Sequence, residues 1–334
     1  MLLQKKALYN LIQLNLPRIE SGDLQMGELQ NWQKENYRDK SLESLFQQLK
    51  SLGIHLSLEQ WQEYGSISED PEQIVEALAN QRNPLEKDQI FLVVFELWRR
   101  YFPEKRTLSI FCDELDNQMM AYDLGKPNQV ADSLAYLEQI LDEHVDRGLL
   151  SHKAFELIQM YCAGDISSFL FDYILAEIDA GNHTYATDLL DGFRNYIQVT
   201  PWFSYLEART ILLQDPEEGY ERLEKMLANT PLDTPVELLE EILFFLANSG
   251  NHSLFYACAL KTLPLLRQEG EFKEFLEACY AHYDFLELKK PALAIARLFH
   301  NRSKIPIYTP LNPCDSDLTT CRTILDQKLH FAEE

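Results

Sequence analysis

The feature that most restricts this chain is a rhythm of helix-breaking turns. Gly148, Gly181, Asp215, Gly250 and Asp284 follow one another at intervals of 33, 34, 35 and 34 residues, and the turns at 181–183 and 250–252 repeat the tripeptide Gly-Asn-His. That spacing is the period of stacked helix-turn-helix units, each of which leaves an apolar face that only its neighbour covers. It predicts five helix pairs: 130–145 with 151–163, 167–179 with 184–197, 202–213 with 216–228, 235–248 with 253–267, and 271–283 with about 291–301.

Composition agrees. Only 12 of 334 residues are glycine, and helix interiors disfavour glycine by roughly 1 kcal/mol relative to alanine. The residues ahead of the rhythm are also helical in pattern. A first helix is expected over 2–16, ended by Pro17, and a polar one over about 28–36. Ser41 is placed to cap Leu42, Leu45, Phe46 and Leu49 until Gly53 stops the run, and short helices follow at 57–64 and 71–80, the second opened by Asp70-Pro71. Residues 85–102 are apolar on nearly every face and read as a helix buried among others, closed by Pro103. A striped helix over 107–123 then ends at Gly125-Lys126-Pro127. The expectation is an all-α chain in three parts: an N-terminal helical bundle over 1–125, helical repeats over 130–302, and a proline-containing linker with a C-terminal helix, 317–331, over 303–334.

The third pair carries a family resemblance. Phe203, Leu206, Gly219, Leu223 and Pro231 stand where a tetratricopeptide repeat has its large aromatic, leucine, small residue, second large apolar residue and terminal proline, and Ala186 and Leu190 fill last-helix positions of the preceding unit. Glu207, Thr210 and Phe255 depart from the pattern. The chain thus resembles a divergent tetratricopeptide-like array over about 130–302, and a HEAT-like array fits the same spacing. The resemblance implies a right-handed α-solenoid whose first helices line a groove for a protein segment. Projected onto this sequence, it places Glu138, Asp142, Asp172, Asp179, Glu237, Glu241, Glu271 and Glu274 in that groove, with Tyr205 and Arg209 in the middle unit.

Charge bears on the partner. With 53 acidic against 30 basic residues the formal charge is −23, a field that repels phosphate backbones and anionic lipid and attracts basic segments. No nucleic acid and no membrane are therefore expected. Two basic patches run against the total, Arg99, Arg100, Lys105 and Arg106, and Lys289, Lys290, Arg297, Arg302 and Lys304; both read as solvated helix ends.

Chemical motifs are sparse. No phosphate loop, nucleophile elbow or kinase signature occurs, no two histidines stand at His-x-x-x-His spacing, and the six cysteines include no Cys-x-x-Cys and suit buried reduced thiols. Asp113, Glu114, Asp116 and Asp123 crowd one helix, so a metal-dependent helical enzyme is the second reading. The first segment lacks an apolar h-region and a small-residue cleavage site, and no apolar run approaches a membrane span. The leading expectation is a cytoplasmic interaction module, an adaptor, regulator or chaperone without enzyme activity, metal or cofactor, that binds a basic or amphipathic protein segment.

Overall fold

Many of the described helix starts are fixed by one side chain that takes up a free amide of the first turn. In the computed structural model, which describes residues 6–197, 201–229 and 234–326, Ser41 accepts from Ser44 N at 3.1 Å to open α3 (Leu42–Ser51), and Asp70 accepts from Gln73 N at 2.8 Å to open α5 (Pro71–Ala79). Everything described is helix, turn or irregular connection apart from one isolated bridge between Gln268 and Pro310, so the chain is all-α. No described helix is long and apolar enough to cross a membrane.

Contacts divide the chain into two compact units, Met1–Tyr173 with Asp191–Gln198, and Ile174–Leu190 with Val199–Glu334. The first is centred on α6 (Pro84–Tyr101), whose residues Ile90 to Trp98 are all buried. Around it lie α1 (Lys6–Ser21), α2 (Asn31–Lys34), α3, α4 (Leu58–Ile67), α5 and α7 (Leu108–Asp123), with α8 (Val130–Asp146) and α9 (Ser151–Gln159) following. Pro17 was expected to end the first helix and instead sits inside α1. A proline near a helix end removes a single ladder bond, so α1 continues to Ser21, where Gly22 takes φ 85° and Leu24 N donates to Arg18 O at 3.0 Å. Residues 2–5 of the expected first helix lie outside the described residues.

Two further helices, α10 (Ile166–Asp179) and α11 (His183–Phe193), precede the pairs of the second unit: α12 (Pro201–Gln214) with α13 (Pro216–Asn229), α14 (Val236–Ala247) with α15 (His252–Thr262), and α16 (Glu269–Phe285) with α17 (Lys289–Arg302). Within this unit the first helices α12, α14 and α16 are neighbours in that order, and α13 packs beside α15. Gly219 sits at the α12–α13 crossing: a Cβ there would come within 2.6 Å of the Leu212 backbone, so only glycine fits. Pro231 lies outside the described residues. The Gly-Asn-His turns owe their shape to glycine: Gly181 and Gly250 take φ 83° and 75°, whereas Asn251 has φ −81° and its side chain accepts from Leu254 N.

The proline-rich segment after α17 lies against the start of α16. Glu269 N donates to Thr309 O, Gly270 N to Ile307 O and Leu311 N to Arg267 O, at 2.8–2.9 Å. A last helix, α18 (Ser316–Leu325), then packs on α17 through buried Cys321, Ile324 and Leu325; the expected continuation over 327–331 lies outside the described residues. Arg302 ties these parts together. Its guanidinium donates to both oxygens of Glu269 at 2.8 and 2.6 Å, and to Asp315 and Asp317 at 2.9 and 3.0 Å. This member of the second basic patch is therefore buried, not a solvated helix end. Replacing Arg302 with methionine strands Glu269, which is almost fully buried, and a buried carboxylate without its partner costs about 3–5 kcal/mol. Amides of α18 should then exchange with solvent at least ~10-fold faster, read by hydrogen-exchange mass spectrometry; unchanged exchange there would show that Arg302 does not hold the segment.

Candidate functional site

In the second unit the residues that define a charged face stand on three successive first helices. On α14, Glu237, Glu241 and Phe244 are spaced by four and then three residues and so share a stripe; Glu237 is exposed and the Phe244 ring is 39% exposed. On α16, Glu274 is exposed, while Glu271 turns back to accept from Arg267 N and Gln268 N and so closes the start of its helix. No ion pair holds Glu237 or Glu274 among the described residues. On α12, Leu213 is exposed four residues after Arg209.

Tyr205 and Arg209 are corrected by the structure as groove-lining residues. Tyr205 is fully buried, and Arg209 is nearly so, because the guanidinium lies 3.9 Å from the Phe245 ring, donates to the Tyr205 hydroxyl at 2.9 Å and pairs with Asp179 at 2.5 Å. These groups hold α12 to α14 and to the end of α10, and Asp179 is the exposed partner of that clamp. Glu138, Asp142 and Asp172 belong to the first unit. There Glu138 lies over Gly192, Asp142 accepts from the Tyr196 hydroxyl, and the Asp172 carboxyl is held above its ordinary range by burial and then by Asp123.

Glu240, adjacent to the predicted Glu241, is the residue that sequence reasoning passed over. It stands on the core side of α14, 6% exposed, and its Oε1 is buried without a hydrogen-bond partner among the described residues. Burial first, and then the charges of Glu274, Glu271 and Glu237, push its carboxyl up to about 8. A readable signal existed: Glu240 falls between Leu239, Ile242 and Leu243, where the helical period calls for an apolar side chain.

A second buried constellation lies at the helix ends that follow. His282, 0% exposed, offers Nδ1 to Ala247 O at 3.2 Å and Nε2 to His252 Nδ1 at 3.0 Å, with Phe255 stacked on its ring at 3.8 Å between centroids. A carbonyl only accepts, so Nδ1 carries the proton of His282 and His252 donates to its Nε2. Burial foremost, with His252 adding to it against the opposing Ala247 bond, pulls His282 down to about 4. Among the described residues His183, in the other Gly-Asn-His turn, has a buried Nδ1 with no hydrogen-bond partner.

The carboxylates of α7 are engaged by the first unit itself. Asp113 accepts from Lys6 Nζ at 3.0 Å and from Arg38 Nη2 at 2.6 Å, and Asp116 accepts from Asn10 and from the amides of Ala163 and Gly164 at 2.9–3.1 Å. Asp123 is exposed elsewhere on the helix, and no group of three histidine, cysteine, aspartate or glutamate residues is arranged to hold a metal ion among the described residues. The metal reading gains no support from this geometry. The basic patch beside it is also spent: Arg99 and Arg100 pair with buried Glu96, and Lys105 donates to Gly65 O and Ser68 O at 2.6 and 3.1 Å. These are internal braces in place of the solvated helix ends expected; Arg106 alone of the four is exposed, stacked on Tyr136. A cavity of about 380 Å³ opens beside it, and its wall carries both signs of charge, from Arg99 and Arg106 to Glu114 and Asp132.

No family model, no curated protein and no solved structure matches this chain. Fold and site together define an all-helical protein with a carboxylate-rich, apolar-spotted face on the first helices of its second unit.

Proposed function

We propose that this chain is a protein-binding module of the tetratricopeptide-like kind, in which α12, α14 and α16 form the first-helix layer of a solenoid and hold a basic or amphipathic segment of another protein. The observation that carries the reading is the stripe on α14 and α16, where Glu237 and Glu274 have no ion-pair partner among the described residues and Phe244 is partly exposed beside them. Charged rims of this kind raise association rates for partners of opposite sign, and an exposed ring gives such a partner an apolar anchor. The setting is a chain of net charge −23, so the partner's lysines and arginines meet a favourable field at long range and unpaired carboxylates at short range. A cytoplasmic adaptor, regulator or chaperone would use such a face.

The test uses a blocked, fluorescent amphipathic peptide of leucine and lysine. Wild-type protein should bind it with an affinity that falls as salt is raised, and the double reversal Glu237→Lys with Glu274→Lys should weaken binding roughly tenfold or more, since two attractive contacts become repulsive. Equal affinity for the reversed protein would remove this face from consideration.

A further inference from the structure

A carboxyl group set into a helix core and left without a partner is uncommon, because an unpaired buried polar atom is destabilising and an apolar side chain of the same shape would avoid the loss. Glu240 is such a group: 6% exposed, with Oε1 unpartnered among the described residues and with carboxylates acting on it. Its charged neighbours are Glu237 on its own helix and Glu271 and Glu274 on α16. Among the cations on elements packed against α14, Arg209 of α12 is paired with Asp179 and Lys273 of α16 donates to Ile305 O, while Lys261 of α15 lines a cavity with Glu217, Glu221 and Glu224 of α13. Of the α15 and α16 histidines, His282 is turned to Ala247 O and His252 to His282.

We propose that Glu240 is the seat for one cationic side-chain head, a lysine ammonium or an arginine guanidinium, carried by the segment that lies along this face, with Glu237 and Glu274 as the rim that draws it in. The proposal rests on the acidic-face reading above and goes further by naming the anchor. Three observations converge on it. The free carboxyl has the charge complement of such a head. Glu271 is already hydrogen-bonded at its own helix start, so the rim is left to Glu237 and Glu274. Phe244, one helical turn after Glu240 and partly exposed, offers a wall for the methylene stem of a long cationic side chain, and its face attracts the charge. A side-chain cation fits better than a metal ion, because these carboxylates do not converge in a metal-holding group among the described residues.

The seat holds a proton when empty and must give it up when filled. The Glu240 carboxyl, pushed up to about 8 by burial and the surrounding carboxylates, releases one proton as the ammonium or guanidinium arrives and its charge is matched. Lysine in the peptide stays charged throughout this range, so the pH dependence belongs to the protein.

The experiment measures fluorescence anisotropy of the leucine-lysine peptide from pH 6 to 9 with wild type, Glu240→Gln, and the Glu237→Lys/Glu274→Lys double variant, alongside an arginine version of the peptide and a glutamine version as the uncharged control. Affinity of the wild type should rise about tenfold per pH unit up to about pH 8 and level off above it, and Glu240→Gln should abolish that rise, so that at pH 8 the variant binds many-fold more weakly than wild type. The lysine and arginine versions report which head the seat takes. A wild type that binds equally well at pH 6 and 8, or a glutamine variant with the same rise, overturns the seat even where the double reversal still weakens binding and the face stands. Absence of binding at every pH overturns the seat and the face together. The glutamine variant keeps the shape of the side chain and removes only the charge, so circular dichroism of wild-type form makes a folding defect an unavailable explanation.

Discussion

Replacing Asp113 with asparagine will lower the stability of the first unit by about 3–5 kcal/mol, the range expected when one partner of a buried ion pair is removed. The reason lies in what remains. Lys6 is 4% exposed, its ammonium sits 4.5 Å from the centre of the Tyr9 ring and 4.8 Å from that of Phe95, and Asp113 is its only carboxylate partner among the described residues. An amide in place of the carboxylate leaves that ammonium desolvated beside a dipole instead of an anion. Arg38 suffers less, since it keeps Glu114 at 3.2 Å and is partly exposed. Adding Lys6→Met to the asparagine variant should recover much of the loss, because the stranded charge is then gone and the methionine stem fills the same space. Urea unfolding followed by near-ultraviolet circular dichroism measures both. A single variant within 1 kcal/mol of wild type, or a double variant no better than the single one, would mean the pair is not what holds α1 to α7. The pH dependence has a definite sign. Burial alone would raise the Asp113 carboxyl, but Lys6 and then Arg38 outweigh it and hold the group below its ordinary 3.8, so its contribution is present above that value and is lost as pH falls through the lowered one.

The α1–α7 pair also shows where sequence reading stops. Local signals gave the helices: Ser41 and Asp70 cap where their positions predicted, Gly53, Gly148, Gly181 and Gly250 all take the left-handed backbone that ends a helix, and the run from Ile90 to Trp98 is buried on every side as its composition required. Lys6, Arg38 and Asp113 are separated by up to 107 residues, and no period links a lysine at a chain start to an aspartate on a distant helix. The same limit explains Arg302, read as part of a solvated basic patch and found among three carboxylates, and Tyr205, read as a groove aromatic and found beneath Arg209. Helical phase predicts which side of a helix a residue is on, but not which neighbouring helix lies over that side. In the candidate face the visible carboxylates Glu237 and Glu274 were legible because exposure follows from phase. Glu240 broke the phase, and a polar residue on an apolar stripe was itself the signal.

That misplaced carboxyl and the His282 ring give the second unit two opposed responses to pH, and their balance predicts the shape of its stability curve. Glu240 moves from 4.5 when unfolded to about 8 when folded. A raised carboxyl stabilises below its unfolded value and loses that contribution as pH rises through the folded one, a span of about 5 kcal/mol at 1.36 kcal/mol per pH unit. His282 moves the other way, from 6.5 to about 4; the unfolded chain then binds the proton first, so stability falls as pH drops from 6.5 toward 4, by about 3 kcal/mol on the same scale. Between 4.5 and 6.5 folding gains a proton on Glu240 and releases one from His282, and these two slopes cancel. The pair therefore contributes a plateau in that window and a decline from about 6.5 to 8, where Glu240 alone is titrating. Glu240→Gln should remove the alkaline decline and expose the acid slope, so that relative to wild type the variant gains stability steadily from pH 5 to 8. His282→Phe should remove the acid slope, so that the decline begins near 4.5 instead of 6.5. Thermal unfolding of the three proteins across pH 4–8, taken as differences from wild type to cancel the titration of every other group, decides the matter. Parallel curves for wild type and Glu240→Gln above pH 6.5 would show that the carboxyl is ionised in the folded protein, and a seat for a cation that empties without a proton would then have to be sought in a different group.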